Sequence, residues 1–445
     1  MILKLGDAEL KGLFTKLPNM KEELLHFVWR LRRFAHDNLL TTEGQGLEIL
    51  QVGTHNPDAG PDFSDARIRI GDTLWAGNVE IHLLASDWEK HQHQNDAAYD
   101  NVILHVVLEE DQPILRKNGV RIPCLELKSR ISSRMAAMYL KLQHNEHWIP
   151  CQHQFYQAPE ITRNLWLDRL LVERLEQRTY SLQTRLARNK FDWEETFYQL
   201  LGRSFGVKVN VEPFDQLVRG LPLLILHKHK NNLFQIEALL FGQAGLLGDN
   251  LVDSYPKRLR EEYLFLQKKY QLIPMLGNSW KFLRMRPANF PSIRIAQFAT
   301  LIYQSVHLLS KVLVIQNVQE IENMLEVQLS NYWQTHYLFD RASAKRRKRL
   351  GKNAVHLLII NTIVPFLFFY GKHKGEQSYK DLALQLLEEL HPEDNNVIKK
   401  WETLGVTPKS AYQSQALLQL KNEYCAQHKC LQCAVGTVVL SAAEG

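Results

Sequence analysis

The sequence predicts an α+β protein: an N-terminal α/β layer followed by a mostly α-helical half. Two patterns carry this prediction. Short apolar runs with a period of two fill residues 47–128, whereas apolar residues recur at helical spacing from about residue 157 onward. Composition adds a third observation. A chain of 445 residues that is 45% hydrophobic and 23% charged can bury more than one core, which excludes wholesale disorder.

The elements follow in order. "KEELLHFVWRLRRFAHD" (21–37) puts Leu24, Leu25, Val28, Trp29 and Leu31 on one stripe, the pattern of an amphipathic helix. "LEILQVG" (47–53) reads as a buried strand that stops at a glycine, and "DARIRI" (65–70) alternates strictly. The "GD" pair at 71–72 is a turn signal, after which "LWAGNVEIHLL" (74–84) resumes the alternation. "SDWEKHQHQNDAAYD" (86–100) breaks the period and is read as helix or loop. "NVILHVVLEE" (101–110) has the β-branched character of a strand covered on both faces, and "GVRIPCLELK" (119–128) supplies one more. Helices are then expected at 160–190, 193–205, 234–247, 257–270, 295–315, 318–338, 354–370 and 376–390, punctuated by proline-containing turns. The expected division is a domain at 1–155 and a helical domain at 156–445 with room for two subdomains.

Charge and cysteine content narrow the function classes. A net charge of +6 is compatible with a polyanionic partner without specifying one. Five cysteines in this length do not form a disulfide framework. "MILKLGDAELKGLF" lacks the basic start, apolar run and cleavage site of a signal peptide, so a cytoplasmic protein is expected. "AVHLLIINTIVPFLFFYGK" (354–372) is apolar but carries His356, Asn361 and Pro365, so it is read as a buried helix, kinked or ended before Pro365, and no membrane partner is expected.

The residues with chemistry concentrate in "GPDFSDARIRIGDTLWAGNVEIHLLASDWEKH" (60–91). In a strand, Asn78, Glu80 and His82 share one face while Val79, Ile81 and Leu83 share the other. Asp62 precedes the neighbouring strand and is placed to approach Glu80 across the pair. Two carboxylates at a sheet rim make an oxygen site suited to Mg²⁺ or Mn²⁺, an ion that activates water and neutralises charge on a phosphodiester. His91, His93 and Asp96 are expected to line the same rim, and His55 and Asp58 come from the Gly- and Pro-rich loop before it. A hydrolase using His82, His91 and His93 is a further option, although the histidine pair alone falls short of a metal site. Asp65 and Asp72 read as surface and turn residues, Ser86 or Asp87 as a helix cap and His105 as a core histidine.

Pro61-Asp62 followed by Glu80-Ile81-His82 on a strand resembles the PD-(D/E)xK nuclease signature, and the element order resembles the restriction-endonuclease-like core of that superfamily. The resemblance implies that Asp62 and Glu80 hold the metal and that His82 stands where a lysine would position or activate water. It also implies an assisting acid on the first helix, for which Glu22 and Glu23 are candidates, Glu23 being preferred. Over most of its length the chain is similar to a bacterial family designated domain of unknown function 2851. The strings that carry this are "GTHNPDAGPDFSDARIRIGDTLWAGNVEIH", "SDWEKHQHQNDAAYDNVILHVV", "RPANFPSIRIAQFA" and "CLQCAVG". That likeness implies no activity.

In the helical half, Arg284, Arg286 and Arg294 surround two prolines, and "SAKRRKRLGKN" (343–353) carries Arg346, Arg347 and Arg349. These arginines are candidate contacts to nucleic-acid phosphates, or else structural pairs and a solvated helix face. Cys425, His428, Cys430 and Cys433 number enough ligands for zinc, and the cysteines alone could hold part of an iron–sulfur cluster; reduced, packed cysteines are the alternative. The reading is a Mg²⁺- or Mn²⁺-dependent nuclease acting on DNA or RNA. The alternative is a catalytically inactive nucleic-acid-binding or scaffolding protein on the same core.

Overall fold

The computed structural model describes residues 20–305 and 307–443. The signal-peptide reading rests on residues outside that span. The first helix, α1 (Glu22–Arg30), opens with Glu22 and Glu23 and closes with Arg30, which matches the sign of the helix dipole at each end. It buries Leu24, Leu25, Phe27, Val28 and Trp29. It ends well before residue 37 because Arg32 turns to a φ of 52° and its guanidinium reaches the carbonyl of Ile49 at 2.8 Å.

A mixed sheet follows, built from β1 (Leu47–Gln51), β2 (Thr54–His55), β3 (Phe63–Ile70), β4 (Thr73–Leu84), β5 (Val102–Glu109) and β6 (Cys124–Glu126). The strand order is β1-β3-β4-β5-β6, with β2 added on β3. The β1–β3 and β3–β4 pairs are antiparallel, while β4–β5 and β5–β6 are parallel. The β3–β4 hairpin turns on Gly71 and Asp72, with Gly71 at a φ of 56° that favours glycine. The parallel β4–β5 pair needs a crossover, and its helix α2 (Asp87–Lys90) with two single 3₁₀ turns carries the histidines of 86–100 back over the sheet. The order read from the sequence, helix, three strands, helix or loop, strand, is observed with one addition, the two-residue β2 between the first and second expected strands. The last strand is only Cys124–Glu126, shorter than the 119–128 run suggested.

Two features aim the site. A β-bulge between Phe63 and Ala66 shifts the β3–β4 register, and Asp65 takes a φ of 58° inside it. Gly77 marks the point where β4 presses on β5. A side chain there would meet Ile103 Cγ2 at 2.5 Å and the carbonyl of Asn101 at 2.6 Å.

The rest of the chain is mostly helical, beginning with Ser133–His144 and the long Glu160–Arg188. Several long expected helices are broken. The 318–338 stretch is two short helices followed by a small hairpin, His336–Leu338 with Arg341–Ala342. The basic run 343–350 has no regular structure, so it is not a helix face. The apolar stretch forms one helix, Lys352–Lys374, long and apolar enough to cross a membrane, yet 72% of its most apolar window is buried inside the protein. That helix does not stop before Pro365. A π-helical turn at Ile359–Ile363 precedes the proline and accommodates its missing N–H.

Two compact units emerge. One runs to Leu167 and takes up the chain again from Gln419; the other is Asp168–Leu418. The sheet and the C-terminal cysteines therefore lie in the same unit.

Candidate metal centre

The site is built on the face of β4 that carries Glu80 and His82. Both are buried, at 4% and 1% exposure, and so is His105 of β5 at 1%. Register explains the meeting of the last two: Glu80 pairs with His105 and His82 with Val107, which places His105 diagonally beside His82 on one face. His82 Nδ1 and His105 Nε2 are 2.8 Å apart and share one proton between them. On its other edge His82 Nε2 lies 3.2 Å from His91 Nδ1 and 3.5 Å from Glu80 Oε1. His93 Nε2 lies 3.3 Å from the same Glu80 oxygen, with its ring stacked on His82 and on Tyr99. Trp88 packs edge-on against both His93 and His105 and walls the cluster.

Asp62 and Glu80 are adjacent through the backbone. The Asp62 N–H donates to Glu80 Oε2 at 3.1 Å, and the Ile81 N–H donates to Asp62 Oδ2 at 3.0 Å. Each carboxylate thus spends one oxygen on the main chain of the other's strand. The remaining Glu80 oxygen turns toward the imidazoles. His26, one helical turn after Glu22 on α1, brings Nε2 to 3.2 Å from Asp62 Oδ2.

The electrostatics follow from burial. Removal from water pushes the Glu80 carboxyl well above its ordinary value, and the Asp62 charge adds to this. Burial and the neighbouring His105, His93 and His91 push His82 down to about 2, and burial takes His105 down to about 3. Burial opposes the charged form of His26, but Asp62 outweighs it and the pKa rises. Glu22 is raised by burial and by Asp62.

These residues fit a metal ion. Among the described residues, the one set of three donor atoms within 4.8 Å of one another is His82, His91 and His93. His82 is neutral at physiological pH and offers a lone pair. His93 Nε2 is buried, with the Glu80 carboxylate at 3.3 Å beside it. Imidazole donors suit zinc or iron better than the oxygen-preferring magnesium and manganese. The donors brought closest are therefore the three imidazoles, with Glu80 beside them, rather than the Asp62–Glu80 carboxylate pair.

Several expected residues stand elsewhere. Glu23 is exposed; Glu22 is the first-helix acid that feels Asp62, His26 and His91. Asp96 is exposed and caps a 3₁₀ turn by accepting the Ala98 N–H at 2.9 Å. Asp58 is exposed and its N–H closes a loop on Asn56 Oδ1 at 3.0 Å. His55 reaches the border of the site, its ring 5.6 Å from His26 and 5.1 Å from Phe63. His26, Glu22, His105 and Tyr99 complete the site. The Glu22–His26 spacing of one helical turn was the one local signal for the first two.

In the other unit, Arg284, Arg286, Arg346, Arg347 and Arg349 are exposed, Arg349 being paired with Glu326 at 2.6 Å. Arg294 is buried at 7% exposure and bonds Asn289 and Gln297, neither of them an acid. It lines a cavity of about 690 Å³ together with Arg203, Lys208, Arg286 and Arg349. Cys425, Cys430 and Cys433 are buried free thiols, and His428 Nδ1 faces the Leu142 carbonyl at 3.0 Å.

The fold and this site define an α+β protein with a histidine-rich candidate metal centre on a mixed sheet. Residues 22–396 match the family described as protein of unknown function (DUF2851), and the chain belongs to that family. No curated protein and no solved structure matches it, and nothing in these comparisons supports the likeness to PD-(D/E)xK nucleases.

Proposed function

We propose that the protein is a metal-dependent hydrolase of phosphodiester bonds in DNA or RNA. The observation that carries this reading is the convergence of His82, His91 and His93 on Glu80, with Asp62 held against Glu80 by reciprocal backbone hydrogen bonds. A zinc or iron ion held by those imidazoles would supply an activated water and a positive charge for the reacting phosphate. Glu80 stands next to the donor atoms, placed to orient water or take a proton. His105 fixes the ring of His82, and Trp88 and Tyr99 limit solvent on the crossover side. Support for a nucleic-acid substrate is the net charge of +6 and the arginine-lined cavity of the second unit.

The test is cleavage of single- and double-stranded DNA and RNA by purified protein with Zn²⁺, Mn²⁺ or Mg²⁺. Activity that needs metal and disappears in His82→Ala, Glu80→Ala and Asp62→Ala is the expected result. Cleavage that survives in His82→Ala and Glu80→Ala would sink the reading. The second reading, a non-catalytic nucleic-acid-binding protein, is favoured by the burial of His82 at the position where the nuclease motif carries a lysine. It predicts binding that weakens steeply with salt and no cleavage under any metal.

A further inference from the structure

The cavity of about 690 Å³ lies wholly within Asp168–Leu418, a different unit from the one that carries the imidazole centre. Its walls are the end of the helix Trp193–Phe205 with the turn that follows, the approach to the helix Pro291–Gln304, and the first turns of Lys352–Lys374. Hydrogen bonds fix these walls to one another. Asn210 Nδ2 donates to the Lys281 carbonyl at 2.9 Å, and Asn210 Oδ1 accepts the Lys281 N–H at 2.8 Å. Thr362 Oγ1 donates to Ser204 Oγ at 2.6 Å.

Five of the residues facing this space are cationic and none is acidic. Arg203 is answered by Glu212 and Arg349 by Glu326, both outside the cavity. Among the described residues no acid pairs with Lys208, Arg286 or Arg294. The exposed Lys208 and Arg286 need no partner, but a buried guanidinium does. Arg294 gives its hydrogen bonds to two amide oxygens, Asn289 Oδ1 at 2.7 Å and Gln297 Oε1 at 3.2 Å. Two of its five N–H donors are thus spent, and its Nε is buried without a partner. Burial lowers its pKa only to about 10, so it stays charged at neutral pH. A ligand of opposite sign supplies the charge this guanidinium lacks.

Two further features mark the walls. Val207 is held at a φ of 54°, a conformation that β-branched residues avoid and that collects at ligand sites. The π-helical turn Ile359–Ile363 puts Asn361 on the cavity, and such turns are frequent at functional sites. The remaining lining is largely apolar, and Val207 and Leu357 stay exposed in it.

We propose that this cavity binds a phosphate monoester. Arg294 holds the phosphate with Lys208 and Arg286, and the organic body lies against Val207, Val211, Leu357 and Leu358. A monoester carries close to two negative charges at neutral pH, which answers several cations better than a single carboxylate does. Its oxygens also match the fork of a guanidinium. The site does not depend on the imidazole centre.

The full-length protein, titrated with phenyl phosphate in metal-free buffer and followed by calorimetry, tests this. Saturable binding is expected, with phenol at least roughly tenfold weaker. Arg294→Met should weaken phenyl phosphate by about tenfold or more, and so should Lys208→Ala combined with Arg286→Ala, two exposed positions whose loss spares the core. Phenyl phosphate should raise the thermal midpoint of the parent and not that of Arg294→Met. Arg346→Ala, exposed and outside the cavity, and His82→Ala should bind like the parent. Displacement of phenyl phosphate by a 5′-phosphorylated oligonucleotide but not by its 5′-hydroxyl form would name a strand end as the source of the monoester. Displacement by neither would name a free small molecule. No saturable binding by the parent, phenol bound as tightly as phenyl phosphate, or full affinity in Arg294→Met would overturn the proposal.

Discussion

His82 Nδ1 and His105 Nε2 meet at 2.8 Å in a pair of rings that are each 99% buried. One proton serves both nitrogens, so the bond sets which edge of His82 carries a free lone pair. When Nδ1 holds the proton, Nε2 faces His91 and Glu80 as an acceptor or ligand.

Replacing His105 by Phe removes that partner while keeping a ring in the core. Zinc or cobalt affinity of the purified protein should fall roughly 10- to 100-fold, the usual effect of losing a group that orients a ligating histidine. Metal titration by calorimetry checks it, and unchanged affinity would show that His105 is only packing.

Glu22 and Glu23 adjoin in sequence yet differ in position. Glu22→Gln should lower the pKa of His26, because Glu22 is among the charges that raise it. Glu23→Gln should leave His26 where it is. Histidine titration by NMR separates the two, with Asp62→Asn as the larger positive control because Asp62 is the main source of the shift.

Gly77→Ala should destabilise the fold by about 1–3 kcal/mol through overpacking against Ile103 and Asn101. Gly248→Ala, where nothing lies within 4 Å, should be close to neutral. Urea denaturation of both variants reads the difference directly.

Glu237, fully buried in the second unit, accepts hydrogen bonds from Tyr255 and Ser330, yet burial raises its pKa from 4.5 to about 7. The folded state therefore holds a proton that the unfolded state has released between these values. Its contribution is full below pH 4.5, shrinks as pH rises toward about 7 and is flat above. The slope amounts to about 3 kcal/mol across the window. Glu237→Gln should remove it, leaving stability less dependent on pH between 5 and 7.

Much of the first unit was legible because its signals are local. Alternation in β4 put Glu80 and His82 on one face, and the Gly71–Asp72 turn closed the hairpin where expected. What escaped depends on contacts far apart in sequence. The parallel register of β4 with β5 decides that His105 meets His82, and the bulge at Asp65 shifts β3 against β4; no local pattern announces either. The trio His82, His91 and His93 stands only as a lesser option in the sequence because no familiar motif spacing joins a strand histidine to two from the crossover. The 318–338 stretch kept helical spacing although tertiary packing breaks it into two helices and a hairpin. The basic run proved irregular for a related reason: Lys348 turns inward to the carbonyls of Trp333 and Gln334 at 2.6 and 2.9 Å, so its charges do not share one outward face.

The return of residues from Gln419 onward to the first unit bears on biosynthesis. Asp168–Leu418 is one continuous segment, whereas the sheet-bearing unit takes chain from both sides of it, so that unit cannot complete its contacts until the stretch from Gln419 has been added. The segment carrying the imidazole centre must wait, incompletely covered, until the final cysteines emerge. Removing the stretch from Gln419 should therefore expose the sheet-bearing unit to proteases while sparing Asp168–Leu418, whose own segment stays whole.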